Sequence, residues 1–126
     1  MTEKELVNKW LAFHNLEKMI SSELEAILGQ GQHPMTLNEF YSLYYLNETE
    51  GNDLRLSDLA EKICLSLSAT SRMLARFEDK CGVIERHIST KDKREVKIKL
   101  TPEGKERLRN ASAKIAKVMA NYEKQM

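Results

Sequence analysis

Residues 59–104 read LAEKICLSLSATSRMLARFEDKCGVIERHISTKDKREVKIKLTPEG, and this stretch decides the fold. Up to Phe77 the apolar residues recur every three or four positions, which predicts two helices. From Val83 to Leu100 they alternate, which predicts two strands around a polar loop. Ser66 is a natural N-cap between the helices, and Gly82 ends the second one. The stretch therefore predicts two helices joined by a tight turn and followed by a β-hairpin.

Helices are also predicted on both sides of this stretch. Residues 4–28 carry one apolar stripe at spacings of three and four, made of Leu6, Trp10, Phe13, Leu16, Ile20, Leu24 and Ile27. Thr36 begins a further helix through a capping box with Glu39. Thr101-Pro102 begins the last helix, residues 102–126, with Pro at the position where its missing N–H costs nothing. The predicted order is four helices, a hairpin and a helix, which is the layout of a winged helix-turn-helix: a mainly α fold with a small β-hairpin.

Composition excludes several classes of protein. The 126 residues suit a single domain, 1–126, with a real core. No apolar run is long enough to cross a membrane, and the start MTEKE does not resemble a signal peptide, so we expect a cytoplasmic protein with no membrane partner. Two cysteines and three scattered histidines lack metal-ligand spacing, so no metal site and no cofactor is predicted.

Charge is unevenly distributed along the chain although the net charge is only +1. Residues 1–53 have a net charge of −6, residues 54–100 of +4, and residues 101–126 of +3. One interpretation is that part of the fold faces a nucleic acid. The other is a chance scatter of solvated charges, and the distribution alone does not separate the two.

The second helix of the deciding stretch, residues 66–80, has two different faces. Helical geometry at 100° per residue places an apolar stripe on one side and small residues with arginines on the other. Such an outer face can lie deep in a DNA major groove, where hydroxyls reach phosphates or bases and an arginine can fork onto guanine. An ordinary amphipathic helix with a solvated face is the alternative. The candidate DNA-binding residues of this recognition helix are Ser66, Ser68, Ala69, Ser71, Arg72 and Arg76.

The predicted wing, residues 83–100, has a basic tip. Lys91, Lys93 and Arg94 surround a single acidic residue, Asp92. A basic tip on two strands can reach a minor groove, whose negative potential attracts arginine. Asp92 cannot bind phosphate, and its expected role is to hold a neighbouring arginine by a charge-assisted hydrogen bond. A solvated turn without any partner is the alternative.

Several of these segments resemble the MarR family of bacterial transcriptional regulators. Residues 59–72 are similar to that family's helix-turn-helix, Asp92-Lys93-Arg94 resembles its D-x-R wing motif, residues 100–104 (LTPEG) resemble the L-T-x-x-G after the wing, and residues 35–46 resemble its second helix. The resemblance implies a homodimer with interlocked first and last helices, and a two-fold DNA site. It implies major-groove contacts from the recognition helix and a minor-groove contact from Arg94. It also implies responses to small aromatic ligands or oxidants near the dimer interface.

The sequence departs from the family pattern at its cysteines. Cys64 stands where the family often has glycine in the turn, and Cys81 resembles an extra residue before Gly82. Either thiol could sense oxidants, but a sensor needs an exposed, electropositive setting, and we expect small buried hydrophobes instead.

Aromatic residues and the terminal helices raise two further expectations. Trp10, Phe13, Tyr41 and Tyr44 could line an effector pocket, although aromatics at helical spacing are more often core, and a core role is favoured. Two terminal helices of more than twenty residues cannot both be covered by so small a domain. A second copy of the chain is the simplest cover, which predicts dimerisation through residues 4–28 and 102–126, on either side of a DNA-binding region at 35–100.

The favoured function is a non-enzymatic transcriptional regulator, more specifically a repressor, that binds double-stranded DNA at a palindromic promoter site as a homodimer. The alternative is a winged-helix protein-interaction module that does not bind DNA. An enzyme is disfavoured because the sequence has no nucleophile-and-base grouping, no phosphate-binding glycine loop and no paired carboxylates on one face.

Overall fold

The computed structural model describes residues 1–88 and 96–126, apart from the side chains of residues 79–81. Its helices and strands, in chain order, are α1 (Glu3–Leu28), α2 (Leu37–Glu48), β1 (Asp53–Arg55), α3 (Leu56–Ile63), α4 (Leu67–Cys81), β2 (Ile84–Ile88), β3 (Val96–Leu100) and α5 (Pro102–Met119). The predicted mainly helical winged fold is confirmed. The last helix is shorter than expected, because the chain continues from Ala120 to Gln125 as a 3-10 helix. Among the described residues, no helix has both the length and the apolarity to cross a bilayer.

The chain divides into two compact units, one of residues 1–37 with 113–126 and the other of residues 38–112. The second unit contains a three-stranded antiparallel sheet in the order β1-β3-β2. Ile84 pairs with Leu100 and Ile88 with Val96, as expected for a hairpin. Strand β1 was not predicted from the sequence, and its Leu54 pairs with Ile98 of β3.

The core of this unit lies where the helices meet one side of the sheet. Alternation within the strands directs Ile84, Ile98 and Leu100 inward and leaves Lys97 and Lys99 exposed. The fully buried leucines from the helices of this unit are Leu43, Leu46, Leu59 and Leu74. The apolar stripe predicted for the recognition helix is confirmed, since Thr70, Met73, Leu74 and Phe77 are all buried.

Three capping residues set where the helices of the helix-turn-helix begin and end, and two of them have a left-handed backbone conformation. Cys64 ends α3 at φ 58°, ψ 40°, and its N–H donates to carbonyls of the last turn. Ser66 caps α4, with its Oγ accepting from the Ala69 N–H at 3.1 Å, as predicted. Gly82 ends α4 at φ 61°, a conformation that glycine adopts without strain. The turn between the helices is therefore only three residues long.

The junction after β3 is tied to the junction before β2. Thr101 donates its N–H to the Val83 carbonyl at 3.1 Å and its Oγ1 hydrogen to the Gly82 carbonyl at 2.8 Å. The same Oγ1 accepts from the Gly104 N–H at 3.0 Å, which confirms Thr101 as the N-cap of α5. A Cβ on Gly104 would lie only 2.2 Å from the Val83 carbonyl oxygen, so no larger residue fits. This is the physical basis of the L-T-x-x-G pattern.

The first unit is built on α1, of which only the C-terminal half is covered. Ile20, Leu24 and Leu28 are buried, whereas residues 1–15 are all exposed. Tyr122 packs in this unit, where its hydrogen bond to Glu23, with some help from burial, raises the pKa of the phenol above its usual value. Half of the predicted apolar stripe therefore finds its cover within the chain and half does not.

Candidate nucleic-acid interface

The N-terminal end of α4 is held from its own first turn. Besides the Ser66 cap, Thr70 Oγ1 donates to the Ser66 carbonyl at 2.8 Å and is buried. Both hydroxyls thereby bind the backbone at the start of the helix. The side chains on the outer face of α4 are therefore not needed for packing the core. The helix N-terminus carries a partial positive charge at the same end.

The outer face of α4 is exposed and rich in small side chains. Its exposed members are Ser66, Leu67, Ser68, Arg72, Ala75 and Arg76, and its half-buried members are Ala69 and Ser71. A groove on this face is lined by Ala69, Arg72, Ala75 and Arg76, that is by two arginines and two small side chains. The helix therefore combines a low profile with two long cationic side chains.

No ion pair within the described part of the chain engages either Arg72 or Arg76. Two described carboxylates of α3 and α4 pair with other arginines: Glu78 of α4 with Arg86 of β2, and Asp58 of α3 with Arg55. Each guanidinium offers five N–H donors, and no ion pair among the described side chains occupies them. Arginines in this state, on a surface of small residues, suit an oxygen-rich anionic ligand.

The wing strands run from the base of α4 toward the predicted basic tip. Lys91, Asp92, Lys93 and Arg94 fall outside the described residues, so their predicted roles stay predictions. The last described pair on the way to the tip is Ile88 with Val96.

The expectation that the aromatic residues are core is wrong for three of the four. Trp10 is 60% exposed, Phe13 62% and Tyr44 44%, while Tyr41 is half-buried. The Trp10 ring lies 6.1 Å from that of Phe13 in the first unit. In the second unit Tyr41 and Tyr44 both lie 6.2 Å from Phe40. Helical spacing predicted the stripes correctly, but it could not reveal how much of each stripe the chain itself covers.

The expectation that Cys64 is buried is also wrong, since its thiol is exposed. The left-handed backbone at the end of α3 turns this side chain away from the core. The side chain of Cys81 lies outside the described set. Within that set no three His, Cys, Asp or Glu residues are grouped as metal ligands.

Two residues of this region were missed by the sequence analysis as candidates. Ala75 lines the groove between the arginines. Arg86 contacts the backbone of α4 from β2, with its Nη2 donating to the Ser71 carbonyl at 2.6 Å. A signal for Arg86 was present, because the alternation of β2 places it on the same side as buried Ile84. A charged residue at an inward position is unusual and calls for a specific partner.

Comparison with known proteins gives a family and a set of structures. Residues 35–96 match the model of the MarR family. AbsC, a MarR family transcriptional regulator from Streptomyces coelicolor, superimposes with a TM-score of 0.82 at 26% identity, covering 97% of this chain and 80% of AbsC. Sco3205 is a MarR family transcriptional regulator from the same organism, solved in complex with DNA. It superimposes with a TM-score of 0.84 at 25% identity, covering 96% of this chain and 74% of Sco3205.

A third similar structure holds a small molecule. NadR in complex with 4-hydroxyphenylacetate superimposes with a TM-score of 0.71 at 22% identity, covering 92% of this chain and 79% of NadR, a likeness of fold alone. No curated protein gives a match.

Proposed function

Because the chain belongs to the MarR family of transcriptional regulators, we propose that it is a sequence-specific DNA-binding regulator that acts as a homodimer at promoter sites. The observation that carries this proposal is the outer face of α4, where Arg72 and Arg76 flank small residues and find no ion-pair partner among the described side chains.

The α4 face suits the major groove of B-DNA. Ala69 and Ala75 let the helix backbone approach the floor of the groove, and Ser68 and Ser71 are short enough to reach phosphates or base edges. An arginine forks onto guanine O6 and N7, and each such pair discriminates against a wrong base by about 1–3 kcal/mol. Ser66 contributes through its cap, which directs the helix N-terminus toward a phosphate. The DNA complex of the similar regulator Sco3205 supports this function.

The basic tip at residues 89–95 extends the footprint in the proposal. Lys91, Lys93 and Arg94 would enter the adjacent minor groove while Asp92 orients one of them. Lys97 and Lys99, exposed on β3, add positive charge on the way to the tip.

Dimerisation is proposed from the uncovered half of α1. Leu6, Trp10 and Phe13 expose a continuous apolar strip, and burying apolar surface gains about 25 cal/mol per Å². Another copy of α1 offers the same strip, and α5 is the proposed second contributor. A two-fold dimer places two recognition helices about 34 Å apart, one turn of DNA, and so reads a palindromic site.

We further propose repression by occlusion of the promoter, in the cytoplasm, with release by a small aromatic effector. Two groups of aromatic residues are candidates for stacking on such a ligand: Trp10 with Phe13, and Tyr41 and Tyr44, whose rings both lie beside Phe40. The aromatic acid bound by the similarly folded NadR supports the class of ligand. No catalytic step is part of this function.

Fluorescence anisotropy with duplexes from the DNA upstream of the coding region tests the proposal. We expect one duplex to bind at least 100-fold more tightly than a scrambled duplex, and Arg72→Ala to reduce that preference at least tenfold. Arg109→Ala is the matched control, since Arg109 is an exposed arginine on α5 that pairs with Glu106. Equal affinity for all sequences, or equal effects of the two substitutions, would rule out the proposed reading by α4. Retained dimerisation without any DNA binding would favour a protein-interaction module instead.

A further inference from the structure

Arg86 is a charged residue at an inward position of β2. Its side chain is 25% exposed, and it follows the same side of the strand as buried Ile84. Its Nη2 donates to the backbone carbonyl of Ser71 at 2.6 Å, and its Nε lies 3.2 Å from Oε2 of Glu78. One guanidinium thus joins the strand that leads into the wing to two points on the recognition helix.

Placing a guanidinium at this inward position costs free energy. The Nε atom is buried and, among the described atoms, has no well-aligned hydrogen-bond acceptor, although the Glu78 carboxylate is close. A partly covered guanidinium with incomplete hydrogen bonding costs free energy that an aliphatic side chain at the same place would not. Polar contacts retained at such a cost can serve to select one geometry over its alternatives.

The geometry selected here is the direction of the hairpin. At its base the hairpin is held by Thr101, which binds the Gly82 and Val83 carbonyls. Arg86 adds a second point of attachment further along β2, toward residues 89–95. Pairing with β1 holds the β3 side of the hairpin, whereas β2 is the edge strand of the sheet. Arg86 attaches this edge strand to α4, and the register of β2 with β3 joins the two strands into one unit.

We propose that Arg86 is a positioning residue that sets the angle between the recognition helix and the wing, so that the α4 face and the basic tip engage one duplex together. The inference rests on the proposed function. It assigns Arg86 no contact with DNA, because its guanidinium is directed at α4.

A double-mutant cycle between Arg86 and Arg94 tests the inference. Arg86→Met keeps an unbranched apolar stem of similar reach to the arginine Nε and removes the guanidinium with its hydrogen bonds. We expect Arg94→Ala to weaken binding to the preferred duplex at least tenfold in the wild-type background and less than threefold in the Arg86→Met background. The wild-type affinity is measured first, so that failure of DNA binding itself is recognised separately.

Controls separate positioning from a purely structural role. Circular dichroism and thermal unfolding establish that each variant is folded; if Arg86→Met is not, the cycle is run with Glu78→Gln, which removes one partner and should give a smaller coupling of the same sign. Arg86→Lys, which keeps the charge but cannot reach both partners, should restore the coupling only in part. Glu85→Gln, on the exposed side of the same strand, should leave it unchanged.

Three outcomes would overturn the inference. Additive effects of Arg86→Met and Arg94→Ala would mean that Arg86 only stabilises the fold. A decrease of about one in the salt slope with Arg86→Met, without any coupling, would mean that Arg86 itself neutralises a phosphate. An Arg94→Ala substitution without effect in the wild type would leave no wing contact for Arg86 to position.

Discussion

The N-terminal half of α1 and the outer face of α4 are both exposed helix surfaces, but they differ in chemistry. The first presents Leu6, Trp10 and Phe13, and the second presents Arg72 and Arg76 among small residues. Exposed apolar surface lowers its free energy by packing against another apolar surface. A guanidinium is well solvated by water alone, and its strongest hydrogen bonds are those to an anion. The composition of an uncovered face therefore decides which kind of partner it suits, and the proposed function assigns a second copy of the chain to α1 and a polyanion to α4.

The largest expected difference between DNA binding and dimerisation is their dependence on salt concentration. Binding through arginines and lysines releases counterions, so raising salt from about 50 to 200 mM should lower DNA affinity about 10³-fold or more if six phosphates are neutralised. The dimer dissociation constant should change less than threefold, because apolar burial does not weaken with salt. Anisotropy and sedimentation velocity over the same salt series measure the two constants. A parallel decrease would show that the dimer is also held by charge and would break the comparison.

A charge placed in the α1 strip should abolish the dimer. Trp10→Glu puts a carboxylate where the proposed partner helix packs, so we expect a monomer at micromolar concentration and at least 100-fold weaker binding to a two-fold site, because avidity is lost. Sedimentation velocity and anisotropy report the two effects. Asn8→Glu, on the opposite side of α1, is the matched control and should leave the dimer intact. A Trp10→Glu protein that remains dimeric would place the interface elsewhere.

A substitution outside both faces should change the stability of the fold and neither association. The added methyl of Gly104→Ala would collide with the Val83 carbonyl, so we expect a loss of about 2 to 3 kcal/mol in the free energy of unfolding. Urea denaturation gives the value, with Lys105→Ala as the neighbouring exposed control within about 0.5 kcal/mol. Unchanged stability of Gly104→Ala would contradict the packing described for the base of the wing.

The smallest effect is expected at the turn before α4. Cys64 adopts φ 58°, which strains a side chain but not glycine, so Cys64→Gly should raise stability by about 0.5 to 1 kcal/mol after the entropy cost of glycine. Cys64→Ala keeps the Cβ and should stay within about 0.5 kcal/mol of the wild type. Equal effects of the two substitutions in urea denaturation would show that the left-handed backbone costs nothing there.

Local signals in the sequence were enough for the helices and their ends. The capping residues Ser66, Gly82 and Thr101 lie at helix ends as predicted, because a cap depends on a few neighbouring atoms. Strand β1 could not be predicted, since three residues carry almost no periodicity and their pairing partner lies more than forty positions away. Long-range pairing is decided by the assembled fold.

The sequence predicted which residues form the candidate site, but not the contacts that hold them in place. The outer residues of α4 follow from the helical wheel, and the structure leaves them exposed or half-buried. The contact of Arg86 with Ser71 joins two elements through a backbone carbonyl, which no sequence pattern encodes. The exposure of Cys64 and Trp10 likewise depends on backbone direction and on how far the chain covers its own stripes.

Methylation interference on the preferred duplex tests the central claim most directly, since methylation at guanine N7 blocks the major groove and methylation at adenine N3 blocks the minor groove. We expect N7 methylation of a particular guanine in each half of the site to prevent wild-type binding. We also expect Arg72→Ala, at the higher concentration it needs, to bind methylated and unmethylated duplex equally at that position. Wild-type binding that is indifferent to N7 methylation throughout the site, or a full interference pattern retained by Arg72→Ala, would contradict the claim that the arginine face of α4 reads the major groove.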